Sequence, residues 1–363
     1  MATKDEFQRI LVICTRLIGD VLLTTPLIHA AKQRWPQSRI DVLGFQGTLG
    51  MLEGNPDVHE LVEVKGGSGW LDSLGLMRRL WRRYDLVLIA QHTDRAHLYG
   101  FLAASRRSGL LPNERRAWWK RALLEHAVLL GDGEPHVALE KLRLLEPWTR
   151  PQVATVVPPP GAPLPADIAG ALRPPYVVMQ VPVRVRYKQW PIAHYRSVAD
   201  AMVTQGVQVV LTGSAAASDL AATAAVASAG PAPQVLDVAG RLELKQLSTL
   251  LGGAAAYVGP DTSITHLAAA CGIPVIALYG PIDPRLWGPW PGSAAATTPY
   301  EPRGPRQQAG QVILLQGDQP CVPCNGAGCE RHDASRSDCL ETMAPQRVID
   351  ELHRVLRSPN EPG

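Results

Sequence analysis

Short apolar runs alternate with helical patterns along most of the chain, and this alternation most constrains the fold. In the first 110 residues, runs typical of buried strands occupy residues 10–13, 40–43, 61–64 and 86–90. Helical patterns lie between them at residues 21–35 and 70–83. Strands that alternate with helices indicate a parallel sheet covered by helices, so we predict an α/β fold.

A second alternation of the same kind fills the C-terminal half. Strands are predicted at residues 176–180, 207–212, 235–238, 255–258 and 275–279, and helices at residues 192–205, 218–228, 244–251, 262–271 and 344–356. The two halves share an architecture but no repeated sequence. Two Rossmann-like domains facing across a cleft are therefore expected, with ligands bound at the carboxyl ends of the strands.

A proline-rich segment separates the halves. Residues 147–175 contain nine of the 32 prolines, so they form neither a continuous helix nor a central strand. We therefore predict an N-terminal domain at residues 1–146, a linker at 147–175 and a C-terminal domain at 176–343. A C-terminal helix with a frayed tail is predicted at residues 344–363.

Composition excludes several classes of protein. The net charge of +3 over 363 residues argues against a dedicated nucleic-acid binder. The charged start "MATKDEFQRI" is unlike a signal peptide, and no apolar run reaches the ~18 residues of a membrane span. A cytoplasmic protein is expected, since the six cysteines do not form a distributed disulfide framework.

The stretch "CTRLIGDVLLTTPLIHA" follows the first predicted strand. A strand, a turn with Gly19 and a helix are typical of a phosphate site. Asp20 contradicts that function, because a carboxylate about 4 Å from a phosphate is repelled by roughly 4 kcal/mol at an effective dielectric of about 20. We therefore expect the phosphate to bind elsewhere.

The stretch "YVGPDTSITHLAAACGIPVIALYGP" is the strongest candidate for a phosphate site. Asp261 is predicted at the N-cap of a helix that Gly272 ends, and the first turn offers free backbone N–H groups. A capped helix without a ligand accounts for these two residues. It does not account for Thr262, Ser263 and His266, which favour a ligand site.

Three cations crowd into "VRVRYKQWP", just after the first strand of the second domain. Arg184, Arg186 and Lys188 can neutralise a departing diphosphate, although an exposed basic loop has the same composition. The stretch "LTGSAAASD" contains Gly213 and Asp219 and can hold a nucleotide ribose. The motif G-x-G-x-x-G is absent, which argues against a nicotinamide-dependent oxidoreductase.

Basic residues cluster in the first domain near tryptophans. They are Arg78, Arg79, Arg82, Arg83, Arg106, Arg107, Arg115, Arg116, Lys120 and Arg121, with Trp81, Trp118 and Trp119 close by in the sequence. A solvated helix face and a surface for phosphorylated sugars or an anionic membrane are both compatible with this pattern. We assign Arg16, Gly19, Arg115, Arg116 and Lys120 to acceptor binding.

Four cysteines form the pattern C-x₂-C-x₄-C-x₉-C near the C-terminus, at Cys321, Cys324, Cys329 and Cys339. The pattern leaves three states open, namely a structural zinc site, reduced thiols and disulfides. No metal or cofactor is predicted for the reaction itself. Cys14 and Cys271 are expected to be small core residues.

Three motifs together resemble the lipopolysaccharide heptosyltransferases of glycosyltransferase family 9. They are "TRLIGDVLLTTPLIHAAKQRWP", "YKQWP" and "GPDTSITHLAAACGIPVIALYGPIDP", and the resemblance covers nearly the whole chain. The Cys-rich stretch also resembles those of several relatives, and it suggests the branch that adds later inner-core heptoses, as a third heptosyltransferase does.

The resemblance implies a GT-B fold, with an acceptor domain followed by a donor domain. It implies an inverting, metal-independent transfer of heptose from ADP-L-glycero-D-manno-heptose to the inner core of lipopolysaccharide. The partners implied are ADP-heptose, a lipid A–core oligosaccharide and the inner membrane surface, without nucleic acid, for a monomeric protein. The alternatives are a family 9 enzyme that uses another nucleotide sugar and a non-catalytic sugar- or nucleotide-binding protein.

The resemblance also assigns roles to residues. Asp20 falls on the catalytic aspartate of the family and would act as general base, while Lys188 falls on its phosphate-binding lysine. Asp261 and Thr262 fall on a donor-contacting Asp-Thr pair, which His266 follows. Many members have glycine where this chain has Ser263. Gly213 and Asp219 are assigned to the donor.

Overall fold

In a computed structural model, the protein forms two compact units. The structure describes residues 6–65, 70–113, 117–131, 136–150, 153–230, 233–292 and 296–357, and the side chains at 70–73 are outside this description. Unit 1 comprises Met1–Pro160 with Ala294–Thr298, and unit 2 comprises Gly161–Ser293 with Pro299–Gly363. Each unit is described by itself below.

Unit 1 is built on a six-stranded sheet. Its strands are β1 (Arg9–Ile13), β2 (Arg39–Phe45), β3 (Glu60–Val64), β4 (Leu86–Ile89), β5 (Arg106–Leu111) and β6 (His126–Leu129). Its helices are α1 (Ile18–Leu22), α2 (Thr25–Arg34), α3 (Trp70–Leu80), α4 (Asp94–Ala103), α5 (Trp118–Ala122) and α6 (Val137–Leu142). The strand order is β3-β2-β1-β4-β5-β6 and every pairing is parallel, which is the Rossmann order.

Apolar side chains on the central strands form the core of unit 1. In β1, Leu11 pairs in register with Val87 of β4, and Ile13 pairs with Ile89. All four are fully buried, because helices cover both faces of a parallel sheet. The buried strand β1 therefore holds the turn that follows it, residues 14–17, at the carboxyl edge of the sheet.

The helix predicted at residues 21–35 is two helices, and that prediction was wrong. Helix α1 ends at Leu22, and α2 begins at Thr25 with Pro26 in its first turn. Proline lacks an N–H group, and its ring clashes with the carbonyl of the residue four positions earlier. A helix therefore tolerates Pro26 near its start but not in its interior. The helix predicted at residues 70–83 ends earlier, at Leu80.

Unit 2 is built on a seven-stranded sheet. Its strands are β7 (Tyr176–Gln180), β8 (Gln208–Thr212), β9 (Val235–Asp237), β10 (Ala256–Pro260), β11 (Val275–Tyr279), β12 (Arg306–Ala309) and β13 (Val312–Gln316). Its helices are α7 (Ala166–Ala171), α8 (Ile192–Thr204), α9 (Ala217–Ala227), α10 (Leu244–Gly252), α11 (Ser263–Ala270), α12 (Pro284–Trp287), α13 (Asp338–Glu341) and α14 (Pro345–Arg357). The order β9-β8-β7-β10-β11-β13 repeats the parallel Rossmann pattern, and β12 adds an antiparallel edge.

The C-terminal helix α14 packs on unit 2. Val348 and Leu352 are fully buried in the core that also contains Val258 of β10. Just before the helix, the carbonyl of Met343 accepts a hydrogen bond from the Trp190 indole at 2.9 Å. The tail beyond residue 357, predicted to be frayed, lies outside the described residues.

The proline-rich segment is divided between the units. Its described residues up to Pro160 belong to unit 1, and the short helix α7 at Ala166–Ala171 belongs to unit 2. The linker boundaries at residues 147–175 stay a prediction. In the described part of the chain, no helix is both long and apolar enough to cross a membrane.

Candidate functional site

Asp20 lies in the only turn of the short helix α1, just after β1. The residue is 7% exposed, and its Oδ1 accepts a hydrogen bond from Nε of Arg16 at 3.0 Å. Across the described residues, no hydrogen bond of the chain reaches the other carboxylate oxygen, Oδ2. One oxygen is therefore held by a cation, and the other remains able to accept a proton.

A buried lysine supports the backbone of this turn from α6. Lys141 is 2% exposed, and its Nζ donates to the carbonyl of Asp20 at 2.7 Å and to Oγ1 of Thr24 at 2.9 Å. Thr24 Oγ1 also donates to the same carbonyl at 2.7 Å. Burial raises the pKa of the neighbouring Cys14 thiol, and the positive charge of Lys141 offsets part of that rise. Cys14 is a small core residue, as predicted.

The other residues assigned to acceptor binding lie in different surroundings. Gly19 belongs to α1, beside Asp20. Lys120 is largely buried, and its Nζ lies 2.6 Å from Oδ1 of Asp94 and donates to the carbonyl of His92 at 2.7 Å. Arg115 and Arg116 lie outside the described residues. Acceptor binding by these residues stays a prediction.

In unit 2, the candidate site begins where β10 ends and α11 starts. The N-cap of α11 is Thr262, so the prediction that Asp261 is the N-cap was wrong by one residue. Thr262 has extended backbone angles, and the helix begins at Ser263. Asp and Thr are both favourable N-cap residues, so the sequence alone did not distinguish them. The first N–H groups of a helix lack intrahelical partners and can bind an anion.

Asp261 joins a lysine and a tyrosine at this turn. Nζ of Lys188 lies 2.6 Å from Oδ2 of Asp261, which is 7% exposed. The hydroxyl of Tyr279 donates to Oδ1 at 3.4 Å and to the carbonyl of Trp287 at 2.6 Å. Burial, and then the charge of Asp261, raises the pKa of Tyr279 well above 10. Tyr279 therefore stays a neutral donor, while the exposed part of Lys188 keeps further N–H donors available.

Buried hydroxyl groups hold the backbone of the same turn. Oγ1 of Thr265 donates to the carbonyl of Pro260 and contacts the hydroxyl of Tyr257 at 2.9 Å. A Cβ at Gly259 would lie 2.2 Å from that hydroxyl, so only glycine fits there. His266 is buried at 5% exposure within α11, and Ser263 occupies the first helical position. Their contact with a donor stays a prediction.

The β8–α9 loop contains the residues assigned to a ribose. Oδ2 of Asp219 accepts from the N–H of Ser214 at 3.0 Å and from its hydroxyl at 2.7 Å. The carbonyl of Gly213 accepts from the N–H of Gly240 at 2.8 Å. Oδ1 of Asp219 accepts from the hydroxyl of Ser218 at 3.4 Å. In this structure Asp219 therefore stabilises the loop, and its contact with a ligand stays a prediction.

Sequence reasoning missed Lys141 and Tyr279. Lys141 is 121 residues away from Asp20, and no local pattern connects the two. Tyr279 ends a predicted strand next to β10, so the expected order of the strands could have placed it beside Asp261.

One group of side chains outside these turns has the composition of a metal site. Ligand atoms of Asp41, His59 and Glu60 lie within 4.8 Å of one another. Asp41 already accepts from Tyr84 at 2.9 Å and pairs with His59 at 3.0 Å, and Glu60 pairs with Arg79. These contacts account for the group as a partly exposed cluster of polar side chains in unit 1.

Comparison with known proteins identifies the family. The sequence profile described as glycosyltransferase family 9 (heptosyltransferase) matches residues 74–313. The chain is also 32% identical to lipopolysaccharide heptosyltransferase 3 of Escherichia coli K12, over 76% of this chain and 83% of that protein. The chain belongs to glycosyltransferase family 9. This family 9 enzyme is 28% identical to lipopolysaccharide heptosyltransferase 2 of Salmonella typhimurium, over 96% and 99% of the two chains.

Solved structures agree with the fold. The family 9 enzyme matches E. coli ADP-heptose lipopolysaccharide heptosyltransferase II with a TM-score of 0.72 at 22% identity, over 96% of this chain and 99% of that one. It matches E. coli heptosyltransferase WaaC with ADP with a TM-score of 0.72 at 18% identity, over 96% and 100% of the two chains. The predicted GT-B class, with two Rossmann-like α/β domains, and the glycosyltransferase assignment are confirmed.

Proposed function

We propose that this enzyme transfers a heptose from ADP-L-glycero-D-manno-heptose to the inner core of lipopolysaccharide, with inversion and without a metal ion. The curated relatives are lipopolysaccharide heptosyltransferases 1, 2 and 3, which supports the substrate class. Solved neighbours contain ADP and an ADP-heptose analogue, which supports the donor. The observation that carries the proposal is Asp20, a buried carboxylate with one oxygen held by Arg16.

On the donor side, one cation, Lys188, and the amide groups of a helix N-terminus lie at the β10–α11 turn. Lys188 is fixed by Asp261 and would donate its other N–H groups to the diphosphate, while the amides of Thr262, Ser263 and Ile264 would bind it from the helix N-terminus. Asp219, Gly213 and His266 would contact the rest of the donor. Lys188 and the amides of the helix N-terminus would neutralise the negative charge that develops on ADP, so the leaving group would need no metal.

On the acceptor side, Asp20 would act as general base. Its carboxylate takes the proton of the acceptor hydroxyl as that oxygen forms a bond to the anomeric carbon. The bond from that carbon to the ADP oxygen breaks in the same displacement, and ADP leaves with the electron pair. A single displacement inverts the configuration. Arg16, Gly19, Arg115, Arg116 and Lys120 would bind the anionic acceptor.

A lipid A–core acceptor would keep the enzyme at the cytoplasmic face of the inner membrane. We propose that the enzyme acts there as a monomer. Unit 1 has features suited to that contact. Trp81 is 62% exposed and Trp118 is 74% exposed, and the guanidinium of Arg82 lies 6.0 Å from the centre of the Trp81 ring. Exposed tryptophan beside arginine suits an anionic membrane surface.

A transfer assay tests the proposal. Purified enzyme is incubated with truncated inner-core acceptors and a panel of ADP- and UDP-sugars, and mass spectrometry and NMR of the product give the added sugar and its linkage. We expect one heptose from ADP-heptose, with inverted anomeric configuration, in buffer with EDTA. Preferential transfer from a UDP-hexose would support the alternative, in which this family 9 enzyme uses another nucleotide sugar for a surface polysaccharide.

A further inference from the structure

We propose that Cys321, Cys324, Cys329 and Cys339 bind one Zn²⁺ or Fe²⁺ ion, and that this site fixes the loop that carries Lys188. The metal site stands on the geometry of unit 2 alone. Its effect on the donor rests on the proposed function of Lys188.

The four cysteines line a single pocket, together with Pro281, Gln319 and Asp338 among others. All four thiols are free, so none is consumed by a disulfide. Cys339 is buried at the start of α13, where a Cβ on Gly280 would lie 3.2 Å from its sulfur. The other three are exposed and can approach the buried thiol from the solvent side. Four thiols around one space form the donor set of tetrahedral zinc and iron sites.

The sulfur atoms are not yet at ligand distances from one another. Within the described residues, no three of them lie within 4.8 Å of one another. A metal with four sulfurs at about 2.3 Å needs sulfurs about 3.8 Å apart. Cys321, Cys324 and Cys329 are exposed, so rotation about χ1 can draw them together without moving the core. Binding would release the thiol protons to solvent and leave four thiolates on the metal.

Backbone hydrogen bonds already shape the loop around the pocket. The N–H of Cys329 donates to the carbonyl of Arg336 at 2.9 Å, and the N–H of Asp338 donates to the Cys329 sulfur at 3.4 Å. The N–H of Asn325 donates to the carbonyl of Pro281 at 2.8 Å, which anchors the turn beside Cys324. The segment is therefore folded with its cysteines facing one space before any metal binds.

The Cys-rich segment also holds the turn that carries Lys188, the lysine proposed to bind the sugar donor. The N–H of Arg186 donates to the carbonyl of Asp333 at 2.9 Å, and the hydroxyl of Ser337 donates to the carbonyl of Tyr187 at 2.7 Å. Asp333 and Ser337 lie between the third and fourth cysteines, and Arg186 and Tyr187 directly precede Lys188. A metal that closes the Cys-rich loop would therefore order the short turn at Arg186–Lys188.

Metal analysis tests the site directly. The chain is purified with a cleaved tag under reducing conditions from cells supplied with zinc and iron, and the bound metal is measured by mass spectrometry. We expect about one metal ion per chain, counting zinc and iron together, and at least a tenfold loss in Cys324→Ser. Cys271→Ser removes a thiol outside the pocket and should keep the metal. If the Cys324→Ser variant fails to fold, two other measurements replace it. They are the metal content of Cys329→Ser and the release of metal from the wild-type protein by an organomercurial.

A second measurement tests the link to Lys188. Removing the metal by a chelator should increase hydrogen exchange at residues 186–188 and 321–339 and weaken ADP binding about threefold to tenfold, and zinc should restore both. Less than a tenth of an ion per wild-type chain, a disulfide among the four cysteines, or equal metal loss in Cys271→Ser overturns the site. Unchanged exchange at residues 186–188 overturns the link. Metal content and exchange need no sugar donor, so a failed transfer assay leaves them interpretable.

Discussion

The β1–α1 turn of unit 1 and the β10–α11 turn of unit 2 share a topology but differ in where the aspartate lies relative to the helix. Each follows a buried parallel strand and has an aspartate near the helix start. Asp20 lies inside a five-residue helix and pairs with Arg16, whereas Asp261 precedes the N-cap of an eight-residue helix and pairs with Lys188. An anion within the first turn opposes phosphate, while an anion outside it leaves the helix N-terminus available. From the positions of the two carboxylates we therefore expect phosphate to bind at the β10–α11 turn rather than at the β1–α1 turn.

The largest expected effect is that of Asp20→Asn. The amide cannot accept the acceptor proton, so kcat should fall by about 10²- to 10⁴-fold, the usual contribution of a general base. ADP affinity should stay unchanged, because the diphosphate is assigned to unit 2. Steady-state kinetics and calorimetry with ADP measure the two quantities. Asp57→Asn, a change in unit 1 at the partner of His29, is the matched control. Full turnover in Asp20→Asn would mean that the carboxylate serves only the helix.

The next largest effect is that of Lys188→Met, which should appear in ADP affinity rather than in kcat. Loss of one charge-assisted contact costs about 1.5–3 kcal/mol, which is roughly 10- to 100-fold in Kd for ADP. The KM for the donor should rise with it. Lys245→Met, on α10, is the control that also removes one positive charge from unit 2. If Lys188→Met left ADP binding intact, the assignment of the diphosphate to the β10–α11 turn would be wrong.

Lys141→Met tests how the turn of unit 1 is held. Methionine fills a similar volume but leaves the Asp20 carbonyl and the Thr24 hydroxyl without the ammonium, at a cost of about 1–3 kcal/mol in stability. We expect Tm to fall by about 5 °C and kcat by roughly tenfold, with ADP affinity unchanged. Lys32→Met removes a partly exposed contact to the Ser38 carbonyl and should cost less. If Tm and kcat fell by the same amounts in Lys141→Met and Lys32→Met, Lys141 would act on stability alone.

Periodicity predicted strands β1–β4 and β7–β11, which are mostly buried and apolar, but it missed β5, β6, β12 and β13. The strand predicted at residues 176–180 has those bounds in the structure. Strand β5 was missed because it begins with Arg106 and Arg107, whose charges interrupt the apolar pattern. The sequence also placed Asp20, Lys188 and Asp261 in segments that follow buried strands, as the structure has them, and their chemical roles stay predictions.

Tertiary contacts were not visible in the sequence. The pairing of Lys188 with Asp261 joins residues that are 73 positions apart, and only the strand order brings β7 beside β10. Lys141 reaches Asp20 from a helix whose sequence resembles any amphipathic helix. Local sequence therefore predicts which residues end strands, and the strand order decides which of them meet.

The smallest effect of a substitution is expected away from both turns, at the Arg306–Glu351 ion pair that joins β12 to α14. Nε of Arg306 lies 2.8 Å from Oε1 of Glu351, and Nη2 lies 3.2 Å from Oε2. Burial by itself raises the pKa of Glu351, but Arg306 and Arg354 outweigh it and hold the pKa below its usual range. A carboxyl group with a lowered pKa in the folded state stabilises the protein above its unfolded pKa, about 4.3, and this stabilisation is lost as the pH falls.

Glu351→Gln should therefore lower the Tm of unit 2 at pH 7 by about 2 °C, since a partly exposed pair contributes about 1 kcal/mol or less. The difference from the wild-type protein should shrink as the pH falls below about 4, because the wild-type carboxyl then becomes neutral as well. Asp350→Asn, at the preceding position of α14, is the control. Neither kcat nor ADP affinity should change. A loss of turnover in Glu351→Gln at constant Tm would show that the two turns are not the only sites on which the reaction depends.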